Sequence, residues 1–281
     1  MKTAGDEKLL EIKNLTVSFL NPSDPNGQTI LAADRVSLEL RQGIFTAMVG
    51  ESGSGKSVTA LSVARLVKTH QTEGEIFFLS NNTWHDLLRL SEKELRGFRG
   101  KEISYVFQDP ASSFNPVMRV GGQIREAYEA HFDADPREGR EKTLRQLEAV
   151  RMKDPERVYR SFPHELSGGM KQRAMIAMAL ISGPKLLIAD EPTAALDAQT
   201  ESDILQLLLS LQKERKLSIL FITHNLPRAS EFAKRIYVMK KGKIVERMEK
   251  SADGFHPVES YTQSLFNVNI GLLKPKSFIG V

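Results

Sequence analysis

The 281-residue chain contains no cysteine, which excludes disulfides, thiolate zinc or iron–sulfur ligation and a thiol nucleophile. It also lacks any apolar run near the roughly 18 residues that span a bilayer. The longest candidates, Ile176–Ile181 and Lys185–Ala189, are short and have polar flanks. A strong charge of either sign is missing as well: 39 Lys and Arg against 35 Asp and Glu leave +4, too little to argue by itself for a nucleic-acid partner. The pI near 9.1 suits an anionic membrane surface equally well. The first residues, MKTAGDEKLLEIKN, hold no apolar core of signal-peptide length, so the expected location is the cytoplasm. What is present is an ordinary globular composition, 41% apolar and 26% charged, which excludes a disordered or collagen-like chain. The length predicts one large domain or two closely joined ones.

Leu9–Phe19 and Leu31–Leu40 alternate apolar and polar residues around the turn-rich segment Asn21–Gln28, which predicts an antiparallel pair at a sheet edge. Ile44–Val49 reads as a buried strand running into a Gly-rich turn, Gly50–Gly55, and then a helix from Lys56 to about Lys68. Glu75–Leu79 and Ile103–Phe107 are further strands, separated by a polar stretch holding Trp84. From Pro110 to Ser167 the pattern turns helical, at Val120–His131 and Arg137–Arg151, and predicts an inserted helical region. Strands and helices then alternate to Arg247, with strands at Lys185–Ala189, Ser218–Ile222, Arg235–Met239 and Lys243–Arg247. That order predicts an α/β fold with a parallel sheet covered by helices. The last 30 or so residues show no clear pattern.

The strongest local signal is GESGSGKS at Gly50–Ser57, a match to G-x-x-x-x-G-K-[ST] placed between a strand and a helix. Backbone N–H groups of such a loop surround a diphosphate, aided by the positive end of the following helix. Lys56 is expected to pair with the β- and γ-phosphates, and the Ser57 hydroxyl to ligate Mg²⁺. KLLIADEP ends an apolar strand in two carboxylates: Asp190 is the candidate to hold Mg²⁺, directly or through water, and Glu191 to orient and deprotonate an attacking water. An isolated Asp-Glu pair is more often a solvated loop, and the Gly-rich loop reverses those odds. LSGGMKQR at Leu166–Arg173 opens a helix with a second anion-binding turn. Two such turns with one nucleotide site suggest that the second grips a nucleotide held by another subunit.

GESGSGKS, Gln108 in YVFQDP, LSGGMKQR, LLIADEP, AALD at 194–197 and His224 in FITHN stand in the order seen in ATP-binding-cassette ATPases. The chain resembles that family from about Leu9 to Thr262. The resemblance implies a RecA-like P-loop core, an antiparallel β-subdomain and a helical insertion at about 110–168. These lie within a nucleotide-binding domain spanning 1–250, and a C-terminal extension follows at 251–281. It implies ATP and Mg²⁺ as cofactors and a head-to-tail dimer in which each ATP lies between one chain's loop and the other's Ser-Gly-Gly turn. Carried over, Gly50, Glu51, Ser52, Gly53, Ser54, Gly55, Lys56, Ser57 and Val58 cradle the phosphates, and Ser57, Gln108 and Asp190 hold the metal. Glu191 is the general base, with Gln108, His224 and Lys56 beside the γ-phosphate. Ser167, Gly168 and Gly169 bind in trans, Asp197 shapes the interface, and Phe19, ahead of Ile30 or Leu31, stacks on adenine.

NPVMRVGGQIRE, FPHELSGGMKQRAMIAMAL and the late His256-Pro257 followed by Tyr261-Thr262 are similar to the ATPases of peptide and nickel importers. That likeness implies uptake of peptides, nickel or a metal chelate, at the cytoplasmic face of the membrane. The implied partners are integral-membrane permease subunits, a second ATPase subunit, identical or related, and indirectly a solute-binding protein, with no nucleic acid. Phe114 to Gln123 is the expected docking surface for the permease. Asn225 departs from the family, which usually has Asp after the histidine, and a Cys-rich iron–sulfur segment of many peptide-importer ATPases has no counterpart. The competing reading is a soluble cassette ATPase acting on nucleic acid or the ribosome. Such proteins usually carry two cassettes or a long coiled-coil insertion, and this chain has one cassette and an ordinary insertion. A non-hydrolytic subunit is disfavoured by the presence of Lys56, Asp190, Glu191 and His224 together.

Overall fold

Strands as apolar as LLIAD and SILFIT have no polar face and must be covered on both sides. The computed structural model of the chain describes residues 7–21, 28–110, 112–194 and 196–270, and most of the turn-rich segment at 21–28 lies outside them. Elements run β1 (Lys8–Leu20), β2 (Thr29–Arg41), β3 (Phe45–Val49), α1 (Lys56–Val63), β4 (Gln71–Ser80), β5 (Thr83–Asp86), α2 (Glu92–Arg96) and β6 (Ile103–Val106). The inserted helices follow: α3 (Val120–Glu129), α4 (Pro136–Ala149) and α5 (Pro155–Arg160). The chain then continues through α6 (Gly168–Leu180), β7 (Leu186–Asp190), α7 (Ala198–Arg215), β8 (Ser218–Thr223), α8 (Leu226–Phe232), β9 (Arg235–Lys240), β10 (Lys243–Glu249) and α9 (Ser260–Ile270).

Two sheets form. The larger has the order β10-β9-β3-β8-β7-β6, parallel except for β10, and the smaller, antiparallel one has the order β2-β1-β4-β5. Alternation along the central strands divides the interior into two cores. Phe45, Leu187, Phe221 and Val238 face the helices α3 to α7, whereas Met48, Ile188, Ile222 and Met239 face α1 and the antiparallel sheet. The β1–β2 pair does lie at a sheet edge, that of the second, antiparallel sheet: β2 is its outermost strand, and β1 lies inside it, flanked by β4.

Three local differences from the sequence reading have identifiable causes. Helix α1 stops at Val63 because Arg65 turns left-handed at φ 51°, with its N–H on the Ser62 carbonyl and that of Leu66 on Leu61, a Schellman stop made without glycine. Trp84 lies in β5, which hairpins back on β4 through Asn81 and Asn82, both at positive φ. Helix α2 begins at a capping box in which Ser91 and Glu94 serve each other's backbone N–H. The unpatterned tail forms α9, whose Tyr261, Leu265 and Phe266 pack against the helix-side core.

Candidate functional site

Parallel strands end their carboxyl termini along one edge, where α/β proteins bind ligands. Val49 lies opposite Thr223, Ile222 opposite Asp190, and Ala189 opposite Val106, so the residues after β3, β8, β7 and β6 emerge level. That alignment brings Gly50–Ser57, Glu191, His224 and Gln108 to the same end of the sheet.

The Gly-rich loop is braced closely. A Cβ at Gly50 would collide with the Met239 carbonyl, and one at Gly55, whose φ is 100°, would collide with the Ala32 carbonyl. The β9–β10 hairpin fastens the loop through Gly242 N–H to the Ser54 carbonyl at 2.9 Å, and Asp34 N–H of β2 reaches Gly242 O at 2.8 Å. The buried Lys56 ammonium donates to the carbonyls of Gly50 and Glu51, each at 2.8 Å, and to Ser54 Oγ at 3.4 Å. Burial pushes its pKa below the ordinary lysine value, while Glu191, Asp190 and Glu51 pull it back up. Glu51, Ser52 and Gly53 are exposed, and Val58 packs toward the antiparallel-side core. Helix α1 starts at Gly55 with no side-chain cap and no acid in its first turn, which leaves its first N–H groups for an anion.

Facing the loop, Ser57 Oγ donates to Asp190 Oδ1 at 3.0 Å, and the Tyr105 hydroxyl donates to Asp190 Oδ2 at 2.7 Å. Burial and the adjacent carboxylate drive the Tyr105 phenol far above its ordinary range, so it remains a donor. Glu191 holds a left-handed backbone at φ 42°, an outlier for a non-glycine residue, and its Oε2 lies 3.3 Å from His224 Nδ1. Asn225 caps α8 by accepting from Arg228 N–H at 3.0 Å, so the neutral residue still serves as N-cap.

These donors suit a hydrated divalent cation on a triphosphate. Ser57 Oγ and Asp190 Oδ1 lie side by side as the oxygens such a cation would take, and no group of three or more His, Cys, Asp or Glu among the described residues could hold a metal alone. Phosphate and water would supply the remaining positions. Gln108 is exposed on the loop after β6, and no hydrogen bond between described residues joins it to Asp190 or Ser57. Phe19, partly buried, sits opposite Ile30 on the β1–β2 pair, whose Ala32 abuts Gly55.

The Ser167 turn stands apart from this cluster. Ser167 Oγ accepts from Met170 N–H at 3.3 Å and caps α6. A Cβ at Gly169 would lie 2.7 Å from Thr200 Cγ2, so the glycine lets α6 pack on the start of α7. Asp197 caps α7, accepting from Thr200 N–H at 2.9 Å and from its hydroxyl at 2.7 Å, which holds its carboxyl below the usual range. Ser167 and Gly168 are exposed.

Two contacts at the site escaped the sequence reading. Tyr105 reads only as one more apolar-strand residue. Tyr261 belongs to the late His256-Pro257 and Tyr261-Thr262 motif, yet nothing local reveals that its hydroxyl accepts from Glu51 N–H of the loop at 3.3 Å, with Lys240 Nζ 4.2 Å over its ring. Phe114 and Gln123, the two ends of the expected docking segment, face inward: Phe114 is buried, and the Gln123 amide donates to the Asn115 and Met118 carbonyls. The open groove beside the Gln108 loop has a volume of about 590 Å³ and is lined by Tyr105, Phe107, Ser113, Ala130, His131 and Met178, among others.

A Gly-rich loop between strand and helix, facing a Ser–Asp pair and a Glu–His pair at one sheet end, defines a phosphate-binding-loop nucleotidase. The family model described as ABC transporter matches residues 33–194. The chain is 43% identical to the peptidoglycan transport ATP-binding protein YejF of Agrobacterium fabrum, over 94% of this chain and 48% of that protein, so it spans about half of that relative. It is also 43% identical to the oligopeptide transport ATP-binding protein OppD of Bacillus subtilis, over 92% of this chain and 71% of that one. In structure it matches the dimeric, ADP- and Pi-bound ATP-binding cassette MJ0796 with a TM-score of 0.74 and 29% identity, over 86% of this chain and 98% of that one. The chain belongs to the ABC transporter family and carries its ATP-binding cassette.

Proposed function

We propose that this chain is the ATP-hydrolysing subunit of a peptide importer, held at the cytoplasmic face of the membrane by permease subunits. Residues 1–250 are read as the cassette, with its insertion at about 110–168, and 251–281 as an extension. The observation that carries the reading is the Ser57–Asp190 pair at 3.0 Å beside the Glu191–His224 pair at 3.3 Å, all at the mouth of the Lys56 loop. Names of relatives such as OppD support a peptide cargo over nickel or a metal chelate. No helix among the described residues is long and apolar enough to cross a membrane.

Ser57 and Asp190, with Gln108 as a further ligand, would hold Mg²⁺, which would supply charge neutralisation to the phosphates. The loop N–H groups and the Lys56 ammonium bind the phosphates and fix the γ-phosphoryl group. Glu191 orients a water and accepts its proton, and its left-handed backbone and contact with His224 aim the carboxylate. His224 donates to the γ-phosphate. Phe19 offers a ring for adenine. The Ser167–Gly169 turn, exposed at Ser167 and Gly168, closes the site of a second ATPase subunit, identical or related. This fits the dimeric form in which the structural relative is described. A cytoplasmic permease helix occupies the groove beside Phe107 and Ser113, whose neighbour in sequence is the Gln108 loop.

Purification from the membrane tests the assignment. Detergent should release the chain with permease subunits attached, and vesicles reconstituted with the complex and its binding protein should take up peptide only with hydrolysable ATP. Recovery instead with nucleic acid or ribosomes, in a fraction that dissolves in salt, would overturn it.

A further inference from the structure

We propose that Tyr105 is a positioning residue that ties the cation-holding carboxylate Asp190 to the floor of the groove beneath the inserted helices. The inference rests on the reading above that Asp190 helps hold the divalent cation and that the groove receives the permease. Tyr105 is unusual in belonging to both places. Its ring lines the groove, where it lies 4.6 Å from that of the half-exposed Phe107, and its hydroxyl reaches through to Asp190 Oδ2 at 2.7 Å. Asp190 is buried, and the two donors divide its carboxylate: Tyr105 takes one oxygen and Ser57 the other at 3.0 Å. A carboxylate held by one oxygen only can rotate about its last bond. A second donor on the other oxygen fixes its plane, and outer partners of this kind set the orientation of metal ligands.

The path from groove wall to cation is therefore one side chain long. A body pressing on Phe107 or on the Tyr105 ring displaces the phenol, and the phenol turns Asp190. Occupancy of the groove and grip on the cation become linked, and the linkage works equally in reverse. Serving only as a partner for a buried phenol would not require the ring to form groove wall, and the two roles are separable by experiment.

Tyr105→Phe keeps the ring and removes the donor. With ADP present, Mn²⁺ binding followed by the electron paramagnetic resonance of the free ion should weaken about tenfold, the lower end of the effect of removing an outer partner. ADP affinity in EDTA should stay within twofold and the thermal transition should remain cooperative. If the unaltered chain shows no ADP-dependent Mn²⁺ binding, the cation reading itself fails. If it binds and Tyr105→Phe binds within twofold, the positioning role is overturned. Should Tyr105→Phe melt early, Tyr105→Met fills the same space with a flexible side chain and carries the same expectation. For the groove, the absence of cysteine allows a single fluorophore at Ala130→Cys on its wall. Saturating Mn-ADP should change its emission when Tyr105 is present and leave it unchanged with Tyr105→Phe. An equal response in both, or none in either, removes the link to the groove.

Discussion

The Gly50–Ser57 loop and the Ser167–Gly169 turn are built from the same kinds of residue, and both open a helix, yet one is held on all sides and the other on one. The loop is fastened by Gly242 from the β9–β10 hairpin, by Tyr261 from α9, by Lys56 within and by Asp190 across the sheet edge. The turn has its own cap and the packing of Gly169 on Thr200, and its outer edge is exposed. A phosphate site needs converging donors and a fixed floor, and only the loop has both. The turn has donors without a floor, which is the form expected of a lid for a pocket on another molecule. Under the proposed two-subunit site, changes in the loop act within one chain and changes in the turn act only when two chains meet.

The variant expected to act most strongly is Glu191→Gln. Hydrolysis should fall by about 10² to 10⁴, the usual span for a general base, while ATP binding is kept and closed pairs accumulate. Unchanged turnover would remove Glu191 from that role. Next is Lys56→Ala, which deletes a charge-assisted contact of about 1.5–3 kcal/mol and should weaken nucleotide binding by tenfold or more in the isolated chain. Calorimetry giving the same affinity as the unaltered chain would break the contrast at the loop. Ser167→Asp sharpens it from the other side. Aspartate caps a helix as well as serine, so stability should hold within about 0.5 kcal/mol. Nucleotide binding to the chain's own loop should also be kept, whereas hydrolysis by paired subunits should be lost, because the new carboxylate faces a phosphate.

Much of the loop side was legible in the sequence and less of what braces it. Gly50–Ser57, Asp190–Glu191 and His224 announce themselves because each lies at a strand end, and strand order alone carries them to one edge. Asn81–Asn82 and the Ser91–Glu94 box were readable turn and cap signals that locate β5 and α2. Tyr105 and Tyr261 gave no such signal. Their contacts join residues 85 and 210 positions apart, and a side chain's partner across that distance depends on the finished packing rather than on spacing. The inward turn of Phe114 and Gln123 likewise follows from how α3 seats on the core, which composition does not encode.

The smallest expected effect concerns Asp197, beside the turn. Its carboxyl is held below the ordinary aspartate value of 3.8 by the Thr200 hydroxyl and N–H. A depressed pKa means that the cap contributes above the unfolded value and fades as pH falls through the folded one. NMR titration should place its midpoint below 3.8, and Thr200→Val should raise it. A midpoint at the ordinary value in both would show that the cap seen in the fold does not persist in solution.

The most direct measurement is a cryo-EM map of the Glu191→Gln complex with Mg-ATP. The two-subunit site predicts nucleotide density bounded by the Gly50–Ser57 loop of this chain and by the Ser-Gly-Gly turn of its partner ATPase, while this chain's Ser167 covers the opposite nucleotide. Density enclosed by one chain alone, with Ser167 facing solvent, would contradict it.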